Sequence, residues 1–145
     1  MTNPLLAVRG VRTFYGNIMA LKGIDLDVHP GEVVVLLGPS GSGKTTFLRV
    51  LSGNLEPSGG TVTRDGQPVD ERDPATRRII SSLIGPIAGF RDMTIADHLI
   101  LVDQTWGGDR AGAGDRIAAV LNRLDILSLA NRYLSEVSSG QRQLA

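Results

Sequence analysis

The residues best placed to do chemistry form one glycine-rich run in the first third of the chain. Its pattern, G-x-x-x-x-G-K-[ST], is typical of a loop that binds nucleotide phosphates through backbone N–H groups and a helix N-terminus. Lys44 would neutralise the β and γ phosphates, Thr45 would offer its hydroxyl oxygen to Mg²⁺, and Thr46 could donate to the α-phosphate. The predicted nucleotide-binding residues are Gly38, Pro39, Ser40, Gly41, Ser42, Gly43, Lys44, Thr45 and Thr46.

The segments on either side of this run support the interpretation. Val33 to Leu37 is apolar at every position, which predicts a strand buried on both faces inside an α/β layer structure. Thr45 to Leu51 has the composition of a helix that ends before Gly53. The alternative is a glycine-rich turn that only closes a strand onto a helix, with Lys44 solvated.

Short β-strands surround this unit. Leu5 to Val11 alternates loosely and Ile24 to Val28 alternates cleanly between apolar and polar residues, as half-exposed antiparallel strands do. Thr61 to Thr63 is a short β-branched strand, and Asp65-Gly66 is a hairpin signal. These segments predict a small antiparallel lobe.

The second half of the sequence is mostly helical. A further strand is predicted over Arg78 to Ile84, and Thr94 with Asp97 predicts a capped helix that runs to about Trp106. The remaining predictions are a flexible loop over 107–114 and helical segments over 117–124 and 126–132.

Composition excludes several function classes. The 145 residues contain 15 basic and 15 acidic side chains, so no basic surplus points to a nucleic-acid partner. The absence of cysteine excludes disulfides and thiol catalysis, and favours a cytoplasmic protein. No apolar run is long enough for a membrane span, so we expect membrane association to come through a partner.

A second candidate site lies near the end of the chain. Ser138 followed three residues later by Gln141 predicts a capping box, and therefore a helix start with unpaired N–H groups that could hold an anion. The alternative is that the box only caps a helix.

The segment Val137-Ser138-Ser139-Gly140-Gln141 resembles the L-S-G-G-Q signature of ATP-binding-cassette proteins. The resemblance covers the whole chain in the order of that family, because Tyr15-Gly16 precedes Lys44 by about thirty residues and the signature follows it by about a hundred. It implies ATP and Mg²⁺ as cofactors.

The resemblance also assigns roles to individual residues. Tyr15 would stack on adenine, although a core-packed strand aromatic is the alternative. The signature would cap the γ-phosphate of ATP held by the opposite subunit of a head-to-tail dimer. Its residues here are Ser138, Ser139, Gly140 and Gln141.

The fold implied is α/β: a P-loop NTPase core with an antiparallel β lobe and an inserted helical subdomain, truncated after the signature motif. We expect a single partial domain over 1–145. The β lobe and P-loop core would occupy about 1–85, the helical subdomain about 88–137, and the start of the signature helix 138–145.

The sequence departs from the family pattern in several places. Val137 replaces leucine and Ser139 replaces the first glycine of the signature. Gly85 stands where the family has a glutamine that touches Mg²⁺ and senses the transport partner. The sequence ends at Ala145, before the family's Asp-Glu strand (Walker B) and switch histidine, so we expect no catalytic residue within it and no hydrolysis by it alone.

The expected function is that of the ATP-binding subunit of a membrane transporter. Its partners would be a second nucleotide-binding domain and transmembrane permease subunits, at the inner face of the cell membrane. The alternatives are a truncated, non-catalytic ATP-binding module and a soluble relative that acts on ribosomes or DNA. The first thirty or so residues, including Thr13 to Ile18, are similar to branched-chain amino-acid importers, but the substrate stays open.

Overall fold

The computed structural model describes residues 3–85 and 89–144 of the chain. The chain folds into two compact units, residues 1–85 (unit 1) and residues 86–145 (unit 2). The predicted single partial domain and its internal boundaries stay a prediction. Pro86 to Ala88, and Ala145 at the end of the predicted signature helix, lie outside the described residues.

Unit 1 contains a four-stranded antiparallel sheet, in agreement with the predicted β lobe. Its order is β2-β1-β3-β4. The turn between β3 and β4 uses left-handed backbone at Asp65 and Gly66, with φ values of 47° and 80°, which fits the predicted hairpin. The strands are β1 (Leu6–Tyr15), β2 (Ile18–Val28), β3 (Gly59–Arg64) and β4 (Gln67–Pro68).

One helix covers the core of this sheet. Helix α1 (Lys44–Leu51) directs Phe47 and Val50 into the core, as the predicted helix over 45–51 requires. Alternation along the strands supplies the facing apolar side chains. The buried set is Val8, Val11, Leu21, Phe47, Val50 and Val62.

The predicted buried strand at Val33 to Leu37 is wrong. These residues form no strand, and Val33 and Leu37 are 87% and 89% exposed. Only Leu36 packs against the unit 1 core. A strand needs a hydrogen-bonded neighbour, and within residues 3–85 and 89–144 no segment pairs with this one.

The predicted strand over Arg78 to Ile84 is also wrong. Helix α2 (Pro74–Ile79) occupies its beginning, and Ile80 to Ile84 adopts no regular structure. The Asp73 carboxylate accepts the Ala75 N–H at 3.1 Å, and proline is tolerated in the first helical turn. The Asp73-Pro74 start signal therefore outweighs the β-branched residues that follow it.

Unit 2 is helical, as predicted. Helix α3 (Ile95–Thr105) begins at a capping box in which Thr94 N–H donates to Asp97 and Asp97 N–H donates to the Thr94 hydroxyl, at 3.0 and 3.2 Å. The segment predicted as a helix over 126–132 forms only a short 3₁₀ turn. The helices that follow α3 are α4 (Ala113–Arg123), the 3₁₀ turns Leu127–Leu129 and Leu134–Glu136, and α5 (Ser139–Leu144).

An ion cluster organises the loop between α3 and α4, which we predicted only as a flexible loop. The Arg116 guanidinium donates to both carboxylate oxygens of Asp103, at 2.9 and 2.6 Å, and to the Asp109 carboxylate and carbonyl. A Cβ at Gly108 would overlap the Asp103 carboxylate. The glycines that suggested flexibility therefore make room for this cluster.

Candidate functional site

The glycine-rich loop turns tightly against strand β2. Gly41 and Gly43 have φ values of 80° and 90°, a region that glycine enters without the steric cost that a Cβ imposes. A Cβ at Gly43 would lie 2.8 Å from the carbonyl oxygen of Ala20 and 3.1 Å from Leu21. Gly43 is thus required both by its backbone angle and by the close approach of β2.

The Lys44 ammonium lies over the curve of this loop. It donates to the carbonyl oxygens of Gly38 and Pro39, at 2.8 and 2.7 Å, and to the Ser42 hydroxyl at 3.2 Å. These bonds fold the side chain back over the backbone that precedes it. The cation is therefore held where the loop and the helix meet.

The N-terminus of α1 supplies further donors. Its N-cap is Gly43, which has no side chain to cap the helix, and the first ladder bond is Phe47 N–H to Gly43 O at 2.8 Å. The N–H groups of Lys44, Thr45 and Thr46 have no acceptor among the residues that the structure describes. Such a helix end carries a partial positive charge and favours an anion.

Tyr15 is at the end of β1, opposite Ile18, and is 47% exposed. It is therefore not the core-packed aromatic of the alternative interpretation. Ile18 is only two residues along β2 from Ala20, whose carbonyl faces Gly43. The end of the hairpin and the glycine loop thus meet the same short stretch of β2.

The signature segment has the predicted capping box. Ser138 N–H donates to the Gln141 side-chain oxygen at 3.0 Å, and Gln141 N–H donates to the Ser138 hydroxyl at 3.2 Å. Ser139 and Gly140 form the exposed first turn of α5. Val137, which departs from the family's leucine, is 8% exposed and belongs to the apolar core of unit 2.

Known proteins resemble this chain in both fold and sequence. The ABC transporter family model matches residues 21–145. The chain belongs to this family. A solved structure of an ATP-binding subunit of an ABC transporter superimposes with a TM-score of 0.78 at 24% identity, covering 97% of this chain and 58% of that one.

Curated relatives of this ABC chain include import and export proteins. The sulfate/thiosulfate import ATP-binding protein CysA of Caulobacter vibrioides is 37% identical over 95% of this chain and 42% of its own length. The Nod factor export ATP-binding protein I of Cupriavidus pinatubonensis is 34% identical over 96% of this chain and 43% of its own. The chain thus spans about two fifths of these relatives, and its similarity to branched-chain importers stays a prediction.

Gly85 stands where the resemblance places a glutamine. Its φ is +78°, in the left-handed region that a side chain such as glutamine rarely adopts. In residues 3–85 and 89–144, no group of three or more His, Asp or Glu side chains could hold a metal ion.

Two features of the site were missed by sequence reasoning. Ser58 fixes the end of β1, because its hydroxyl accepts the Phe14 N–H at 3.3 Å and its own N–H donates to Arg12 O at 2.8 Å. The second missed feature is the close approach of Gly43 to the Ala20 carbonyl. A serine after Pro57 gives a weak signal of such a turn, but no pattern in sequence indicates which strand it holds.

In the described part of the chain, no helix is both long and apolar enough to cross a membrane.

Proposed function

We propose that this chain is the nucleotide-binding part of an ABC transporter subunit and that the loop from Gly38 to Thr45 holds the phosphates of ATP. The observation that carries the proposal is the junction of loop and helix. There the Lys44 ammonium and the unpaired N–H groups of α1 lie together on glycine backbone that admits no Cβ at Gly43. A positive charge and free N–H donors are the groups that bind a polyphosphate.

The residues present fit ATP and Mg²⁺. A triphosphate would offer Lys44 acceptors in place of the carbonyls of Gly38 and Pro39, and would accept from the N–H groups of Gly43 to Thr46. Thr45 is exposed in the first turn of α1, and its hydroxyl oxygen would be a ligand of Mg²⁺. Bound Mg²⁺ would neutralise phosphate charge.

In this proposal the signature residues contact ATP that is bound to a second nucleotide-binding domain. Ser138 and Gln141 cap α5, while Ser139 and Gly140 are exposed beside it. We infer that they face the γ-phosphate of ATP held by another nucleotide-binding domain, in a head-to-tail dimer. The import and export names of the relatives support permease subunits as partners, and hence a position on the inner face of the cell membrane.

The test of nucleotide binding uses the only two lysines in the sequence. Lys44→Ala should weaken ATP binding by at least about tenfold, because phosphate charge in a partly desolvated site loses its counter-charge. Lys22→Ala removes the same group from the exposed face of β2 and should leave affinity unchanged. Both variants are titrated with ATP after their circular dichroism spectra are matched. Equal affinity for all three proteins would contradict the assignment.

We further propose that the 145-residue polypeptide, taken alone, binds Mg-ATP without hydrolysing it. Phosphoryl transfer depends on groups that position water and metal. The described residues offer no acidic cluster for a metal, and Gly85 stands where the resemblance places glutamine. Phosphate release by purified protein should therefore equal the background. Steady release that Lys44→Ala abolishes would refute this.

A further inference from the structure

His98, in the first turns of α3, has both ring nitrogens in contact with backbone groups. Phe90 N–H donates to Nε2 at 2.7 Å, and Nδ1 lies 3.0 Å from the carbonyl oxygen of Thr94. An amide N–H can only donate, so Nε2 must present a lone pair. The ring proton is then on Nδ1, where it is donated to Thr94. This arrangement requires a neutral imidazole.

Gly89 and Phe90 also pack against the His98 ring. The Phe90 and His98 rings stack with centroids 5.9 Å apart and planes inclined by 23°. Gly89 passes so close that a Cβ there would overlap the Leu134 side chain and would lie 3.0 Å from His98 Nε2. Phe90 itself is 62% exposed, so it is not anchored by burial in the core. Phe90 also accepts the Met93 N–H at 3.4 Å, but the hydrogen bond to Nε2 is the polar contact that ties this segment to the His98 ring.

We propose that His98 is a positioning residue that holds Gly89 and Phe90 ahead of α3 only while its ring is neutral. Protonation would put a hydrogen on Nε2, directly opposite the Phe90 N–H, and would turn a 2.7 Å hydrogen bond into a contact between two donors. The segment is then released from α3. The inference needs no nucleotide and is independent of the proposed ATP binding.

The charged groups on the elements around the ring have other partners or face solvent. On α3, the Asp97 carboxylate accepts the N–H and hydroxyl of Thr94. Beside Leu134, Glu136 accepts the Tyr133 N–H, and Arg142 donates to the Leu134 carbonyl. Arg91 and Asp92, which follow Phe90, are exposed.

The test is a pH titration of the ¹⁵N-labelled 145-residue chain by NMR. The sequence has two histidines, and His29→Gln removes the exposed one, so every imidazole signal then belongs to His98. At pH 8 we expect the Nδ1–H tautomer and a protected Phe90 amide. On acidification, the hydrogen-exchange protection of Phe90 should fall roughly tenfold or more, in step with the change in the His98 imidazole signals. An Nε2–H tautomer at pH 8, or unchanged protection, would overturn the proposal.

Two controls separate positioning from general stability. Ile95 N–H donates to Arg132 O at 2.9 Å at the start of α3, and its protection should persist throughout the titration. Joint loss of Ile95 and Phe90 protection would mean that the unit unfolds, which would also overturn the proposal. His98→Phe keeps the stacked ring without a lone pair, so the Phe90 amide should be unprotected at every pH of the titration. Protection that survives in His98→Phe would contradict the proposed role.

Discussion

Lys44 and Gly43 show how much of the site depends on backbone rather than on side chains. The ammonium of Lys44 is placed by two loop carbonyls, and the loop in turn is placed by the approach of Gly43 to Ala20. A side chain at Gly43 would meet a carbonyl oxygen, which cannot move without disturbing β2. The glycine therefore matters for position as well as for conformational freedom.

Tyr15 carries a prediction at this scale. Tyr15→Ala should lower the affinity for ATP by about 1 to 3 kcal/mol and leave the affinity for inorganic triphosphate unchanged, because stacking acts on the adenine ring alone. Phe14→Ala is the control, since Phe14 is the neighbouring aromatic and is similarly exposed, at 43% against 47%. Both ligands are compared by titration calorimetry. Equal losses for the two ligands in Tyr15→Ala would show that the side chain acts on the fold and not on adenine.

At the scale of elements, Arg116 joins α3, the following loop and α4. Its hydrogen bonds hold the pKa of Asp103 and that of Asp109 below their ordinary value of 3.8. A carboxylate whose pKa is lowered by folding stabilises the folded state above its ordinary pKa, and that stabilisation is lost as the pH falls through the lower, folded value. The cluster is therefore an acid-sensitive clamp on this loop.

Arg116→Met tests the clamp. The variant should melt at a lower temperature than the parent at pH 7, and the difference should stay constant down to about pH 5 and then close below about pH 4, as Asp103 and Asp109 take up protons. Arg123→Met, on the exposed end of α4, should cost little at any pH. Thermal melts at several pH values measure both. A difference between parent and Arg116→Met that is the same at pH 3 and pH 7 would exclude the ionic mechanism.

At the scale of the molecule, local signals predicted more than long-range pairing. The capping boxes at Thr94 and Ser138 and the Asp65-Gly66 hairpin are confirmed because each depends on residues within one turn. The strand predicted at Val33 to Leu37 failed because apolar composition cannot supply a hydrogen-bonded neighbour. The loop was predictable from its glycines and lysine, whereas its anchoring on Ala20 was not.

The sequence alone also does not predict which apolar side chains are buried. Val33, Val35 and Leu37 are 87%, 70% and 89% exposed, although their sequence is that of a buried strand. Burial of such a run needs partners on both faces, and composition alone does not say where they are. The curated relatives are more than twice as long as this chain, and the ABC family match still covers residues 21–145. Family membership therefore rests on the sequence match over these residues and not on the burial of this apolar run.

The central claim, that ATP binds at the glycine loop, is tested most directly by a residue-resolved titration. Amide NMR spectra of the 145-residue chain are recorded with increasing Mg-ATP. The largest shifts should occur at Gly41, Gly43, Lys44 and Thr45, with a smaller ring-current shift near Tyr15, because these backbone groups would contact phosphate and adenine. Unit 1 also has a cavity of about 530 Å³ lined by Asn54, Glu71 and Arg72, away from the loop. Shifts that gather around that cavity and spare residues 38–46 would contradict the claim.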